Sequence, residues 1–446
     1  MFISAIILGF LLGFGFPFSV SSVRVFYPLF QILYPSSAWL LLFFFIISIA
    51  SLGYGIIYFL RRSRINAGAL SAVSGTSNRV IIISTVLLTT LFAIPYAITR
   101  SRYFLPGGDT VAYIGKANQF LHFGIGWSLF YDTRPIVDIF FALITTGVGF
   151  LKLSVEASYL ISSSILMLVS ITLMVASSFL TLRRNGYDKL TIIISLMMTM
   201  SSVQTFQLNG GTYANSLAFS LLYFSIYILD KLLASHRLRQ MLLLSGAGII
   251  AALTHVETFG LSILVLIFSV IAISIKSPRA NANKNLRDIL AVLAVELIAL
   301  SPFIGLAIFD DQYFGAFSTY LGNVHQKYFA AFPGISGSPP PPMDFDRVAL
   351  SSLAVQYGNV FAYAALALSF PILALRFRTE RCSRSDVYTL IWSAMAIIGS
   401  VTVYGLSIYW ANPSFAGLLL TRRFLYLLPL PLLYSVTVDF FRRFRR

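Results

Sequence analysis

The chain has 446 residues, of which 57% are hydrophobic and 11% charged, and its mean hydropathy is +0.82. That balance excludes an ordinary soluble domain and points to helices cut to the ~30 Å hydrocarbon core of a bilayer. The net charge of +16 falls in short clusters between apolar runs, as membrane orientation requires, so it does not signify nucleic-acid binding.

Apolar runs at 3–20, 38–60, 80–98, 157–181, 190–207, 213–230, 240–255, 258–275, 288–309, 350–375, 387–409 and 424–440 predict an all-α, polytopic transmembrane helix bundle of about twelve spans. The first, Met1 to Val20, has no basic start and no small-residue cleavage site, and reads as a retained span rather than a signal peptide. A further run, Pro135 to Leu151, is short for a span at about 17 residues. It opens with a proline, carries Asp138 and ends near Gly147 and Gly149, so it is predicted to lie along the membrane surface as a juxtamembrane helix. With it there, only Arg24, Arg100, Arg102, Lys116, Arg134, Lys152, Lys327, Arg347, Arg422 and Arg423 among the 32 Lys and Arg face outward. The positive-inside rule then puts both termini in the cytoplasm, with the protein in the cytoplasmic (plasma) membrane. Two outer loops are long, 99–156 and 310–349. The first is predicted to be mostly amphipathic helix, and the second is interrupted by Phe332-Pro-Gly-Ile-Ser-Gly-Ser-Pro339-Pro-Pro-Pro342, whose Gly and Pro block helix and strand. The organisation expected is a two-span hairpin and basic loop over 1–78, a module carrying the first outer loop over 79–235, and a C-terminal region with the second outer loop over 236–446. Cys382, the single cysteine, can form neither an internal disulfide nor a cysteine-based zinc site.

Scarcity singles out the polar residues on the outer side, because each is costly near lipid. Asp109 follows Gly107-Gly108 and opens the run Asp109-Thr-Val-Ala-Tyr113-Ile-Gly-Lys116-Ala-Asn-Gln-Phe120-Leu-His122-Phe-Gly124. The helical spacing puts Val111, Ile114, Ala117, Phe120 and Leu121 on one side, and Lys116, Asn118 and Gln119 towards the other. Asp109 is then a helix N-cap, or a general base at the membrane surface. Asp132 and Arg134 form an interfacial ion pair or position a substrate, and Asp138 sits one turn into the surface helix. His255 and Glu257 share a tight outer turn and require a partner: each other, a metal or a lipid headgroup. Arg422 and Arg423 enter the last span against the positive-inside trend, and either fork a phosphate or snorkel to the headgroups. Glu296 lies inside a span, where a hydrogen bond to a neighbouring helix is expected.

Four features resemble the GT-C superfamily, the polytopic glycosyltransferases that take sugars from polyprenyl-phosphate carriers, such as protein O-mannosyltransferases and aminoarabinose transferases. They are an acid opening a helix after an early span (Gly108-Asp109-Thr110), a Tyr and a small residue beyond it (Tyr113, Ala117), a Pro-led surface helix (Arg134-Pro135-Ile-Val-Asp138), and a basic turn after the next span (Arg183-Arg184-Asn-Gly186). The resemblance covers roughly 80–235. It implies a GT-C-like bundle and transfer of a sugar from a polyprenyl-phosphate-linked donor to an acceptor glycan, lipid or protein on the non-cytoplasmic side. Asp109 is the catalytic base expected on that basis. Tyr113, Lys116, Asp132, Arg134, Asp138, His255, Glu257, Arg422 and Arg423 are the expected substrate contacts. Many members have two adjacent acids where this chain has Asp109-Thr110, which leaves a divalent cation (Mg or Mn) open as cofactor. The competing expectations are a lipid-linked substrate transporter or flippase, and a non-catalytic subunit of an envelope glycan assembly.

Overall fold

The computed structural model of the chain describes residues 57, 120–122, 134–148, 155–200, 213–309, 360–378, 382–411 and 427–444. The expected spans at 3–20, 38–60 and 80–98 lie essentially outside them, as do Asp109, Tyr113, Lys116, Asp132, Arg422 and Arg423. Among the described residues the chain is all-α, with no strands. Ten helices follow in order: α1 (Pro135–Val148), α2 (Val155–Arg184), α3 (Lys189–Met200), α4 (Tyr213–Ser235), α5 (Leu238–Thr254), α6 (Val256–Ile275), α7 (Arg279–Phe309), α8 (Val360–Arg378), α9 (Arg384–Ala411) and α10 (Leu430–Phe444). Three stretches, Ile165–Arg184, Tyr213–Ser235 and Thr258–Ile275, are long and apolar enough to cross a bilayer. They are the ground for reading this as a membrane protein.

The described helices fall into two compact units. The first holds α1, α2 and α4 to α7. Its α2 ends where the backbone must reverse: Gly186 adopts φ +85, Gly186 N–H donates to the Arg183 carbonyl and Tyr187 N–H to that of Leu182. This is the Schellman pairing, which satisfies carbonyls that a helix end otherwise leaves without donors and which favours glycine at the left-handed position. Arg184 at this end of α2 is bonded to buried Asp230 of α4 at 2.8 Å, so α2 and α4 run side by side in the same direction. The next turn is only His236 and Arg237. His236 takes φ +51, uncommon for a residue with a Cβ, and its Nδ1 lies 2.7 Å from Asp288 of α7. Arg184, Asp230, His236 and Asp288 thus share one end of the unit.

α5 returns to the opposite end, and α6 begins after one intervening residue, His255. α7 runs for 31 residues with Pro302 inside it. The proline cannot donate to the carbonyl four residues back, and the Ser301 hydroxyl donates to that Ile298 carbonyl at 2.7 Å instead. α7 starts nine residues before the expected span at 288, because the apolar run marks where a helix meets hydrocarbon rather than where its backbone hydrogen bonds begin.

The second unit holds α3, α8, α9 and α10. Arg376 of α8 donates to Asp386 of α9 at 2.8 Å and to Asp439 of α10 at 2.7 Å, and Arg443 reaches Asp439 from one turn further on. α9 opens with a capping box: Asp386 N–H donates to the Ser383 hydroxyl, and Ser383 N–H donates back to the Asp386 carboxylate. Deeper in the unit, Ser369 of α8 donates to the Leu433 carbonyl of α10, and Trp392 of α9 donates to the Leu427 carbonyl. Arg442 donates to the Thr191 hydroxyl of α3 at 2.9 Å.

Candidate active site at the His255 end of the first unit

The end of the first unit away from Arg184 is built from α1, the N-terminal turns of α4 and the C-terminal turns of α5. Arg134 stands just before α1, its carbonyl accepting from Val137 and Asp138 N–H. Pro135 takes the first helical position, where a missing N–H costs nothing and the fixed φ suits a helix. From there α1 buries Val137, Asp138, Phe141 and Ala142 and exposes Leu143, the three-and-four spacing of one helix face. That face packs into a core with Leu166 of α2, Tyr213, Ala214, Leu217 and Leu221 of α4, and Ala247 and Ala251 of α5. The Phe141 and Tyr213 rings lie 5.6 Å apart in a tilted pair, and Thr145 and Ser162 share a 3.0 Å hydrogen bond that pins α1 to α2.

At fourteen residues α1 is about 21 Å long, short of the ~30 Å hydrocarbon core. Its buried face also packs against three other helices, a closer embrace than the surface position implied.

Phe120 packs against the same core. In the sequence it belongs to the run that Asp109 opens, of which only residues 120–122 are described. Leu121, expected on the same side, is 48% exposed and does not share Phe120's packing.

His255 lies one turn beyond Ala251, whose carbonyl accepts its N–H at 2.8 Å. The side chain is buried and caps α6: Nδ1 accepts from Thr258 N–H at 3.2 Å and lies 3.0 Å from the Thr258 hydroxyl. An Nδ1 that accepts a hydrogen bond carries no proton, so in the neutral ring the N–H belongs to Nε2. The partner is therefore a threonine three residues on. Glu257 lies in the first turn of α6; its side chain is outside what is described.

Of the expected contacts, Arg134, Asp138 and His255 thus lie at one end of one unit. Sequence reasoning missed Thr258, Tyr213, Thr145 and Ser162. Tyr213 had a readable signal, since it follows Gly210-Gly211-Thr212, a breaker run of the kind that precedes a helix start. The N-termini of α2, α4 and α6 also converge on this end, and their aligned backbone dipoles favour a negatively charged group. Among the described residues no group of three or more His, Cys, Asp and Glu side chains is arranged to hold a metal ion. No protein-family model matches the chain, and neither does any curated protein or solved structure.

Proposed function

We propose that the protein is an integral membrane glycosyltransferase of GT-C type, transferring a sugar from a polyprenyl-phosphate-linked donor to an acceptor on the non-cytoplasmic side. The observation that supports the reading is the packing of Phe120 on the core that includes Val137 and Phe141 of α1 and Ala251 of α5. That core lies at the end of the unit that carries the buried carboxyl of Asp138 and the buried imidazole of His255. An anionic lipid phosphate suits the helix N-termini at that end.

In the proposed reaction the Asp109 carboxylate takes the proton of the acceptor hydroxyl as its oxygen attacks the anomeric carbon. The bond from that carbon to the phosphate oxygen breaks, and the polyprenyl phosphate leaves with both electrons. Arg422 and Arg423 would offset its charge by forked hydrogen bonds. Asp138, Arg134 and His255 position the sugar and phosphate.

Asp109→Asn is the test. An amide caps a helix about as well as a carboxylate but cannot accept the proton. Membranes carrying the variant should hold normal amounts of protein and lose transfer from a radiolabelled lipid-linked sugar, whereas retained transfer would reduce Asp109 to a cap. One observation favours a lipid-linked substrate carrier instead, the buried Glu296 of α7. Movement of the labelled lipid across vesicles with no sugar released from it would select that reading.

A further inference from the structure

α7 buries one stripe, Asn285, Asp288, Ile289, Val292 and Glu296, and exposes Leu290, Leu297 and Ile298 on its other sides. Most of that stripe is polar, as expected where ionisable residues of a membrane helix face other helices and its apolar residues face lipid. Asp288 is paired with His236, and Ser245 of α5 donates to the Val292 carbonyl at 3.4 Å. Glu296 is 3% exposed and has no hydrogen-bond or ion-pair partner among the described residues. Its carboxyl lies against Gly248 of α5, so closely that a Cβ at 248 would overlap it.

Eight residues of helix, about 12 Å, separate Glu296 from Asp288, which sets it well inside the span expected from the sequence over 288–309. A carboxylate at that depth needs a positive counter-charge. Among the described residues, neither helix packed closely against α7 supplies one. α5 faces it with Ser245 and Gly248 and has no charged residue after Arg239, and α6 has none from Thr258 to Ile275. On α7 itself the nearest charged residues are Asp288, an acid already paired, and Arg287, which is turned outward. No counter-charge among the described residues faces the carboxyl, and a bound proton neutralises it without one. We propose that Glu296 is a proton-binding site inside the membrane-spanning part of the first unit. Ser245 lies between it and the His236–Asp288 pair on the face shared by α5 and α7. The site holds for a transferase or a carrier, since it uses none of the residues at the His255 end.

The full-length protein in phospholipid vesicles is treated with dicyclohexylcarbodiimide, an apolar reagent for protonated carboxyl groups, and the modified residue is located by peptide mass. Glu296 should be labelled, with labelling falling about tenfold for each pH unit above its midpoint. A water-soluble carbodiimide should leave it unmodified, sodium ions should give no protection, and Glu296→Gln should remove the label from that peptide. The wild-type pH series stands alone if that variant does not fold. Absence of label at Glu296 across the series, equal labelling by the water-soluble reagent, or protection by sodium at constant pH would each overturn the proposal.

Discussion

His255 closes one helix and opens the next, so a single ring carries the geometry of a whole turn. His255→Ala removes the acceptor for Thr258 N–H and should cost about 1 kcal/mol, the usual worth of an N-cap, while His255→Asn restores most of it. Thermal unfolding in detergent measures both. If the ring also contacts substrate, His255→Asn will keep the stability and lose transfer. Costly polar residues such as Asp138, His255 and Glu296 stand out in the sequence because apolar surroundings make them rare. Their partners do not. A threonine three residues downstream is one of many candidates, and the Gly248 that receives Glu296 is distant in the chain and chemically silent.

At the scale of elements, the second unit turns on Arg376, which bridges two buried carboxylates on different helices. Arg376→Met leaves Asp386 and Asp439 without their shared counter-charge and should destabilise by about 3–5 kcal/mol, whereas Arg443→Ala, at an exposed position, should cost less than about 1. Comparing the two melting temperatures checks this directly, and equal losses would mean that Arg443 holds Asp439 unaided. Helix existence was legible from apolar periodicity, as α2, α4 and α6 lie close to their expected bounds. Helix ends were less so. α10 starts at Leu430 rather than 424, beyond the turn formed by Leu427, Leu428 and Pro429. The box that starts α9 is written as Ser383-Arg-Ser-Asp386, but it lies inside a basic cluster that drew attention to orientation instead. Ion pairs between helices join residues tens of positions apart, and no local pattern records them.

At the scale of the whole molecule, each unit has a cluster of ion pairs among its described residues, Arg184, Asp230, His236 and Asp288 in one, and Arg376, Asp386, Asp439 and Arg443 in the other. The charge pattern along the chain predicts that both clusters face the cytoplasm. In a Cys382→Ala background, Arg237→Cys and Arg378→Cys should resist a membrane-impermeant maleimide in intact cells and react after lysis, while Arg422→Cys should react from outside. Reaction of Arg237→Cys and Arg378→Cys from opposite sides would overturn the topology.

The one-residue joint between α5 and α6 also governs how the chain is made. α5 is short, 17 residues with Ser245, Gly246, Gly248 and Thr254 among them, whereas α6 contains one of the most apolar stretches described. A ribosome-bound chain delivering α5 alone offers the insertion machinery a weak signal. With His255 alone between them, α5 and α6 are expected to enter lipid together as a hairpin, with Gly248 and Ser245 in place before α7 arrives with its buried acid.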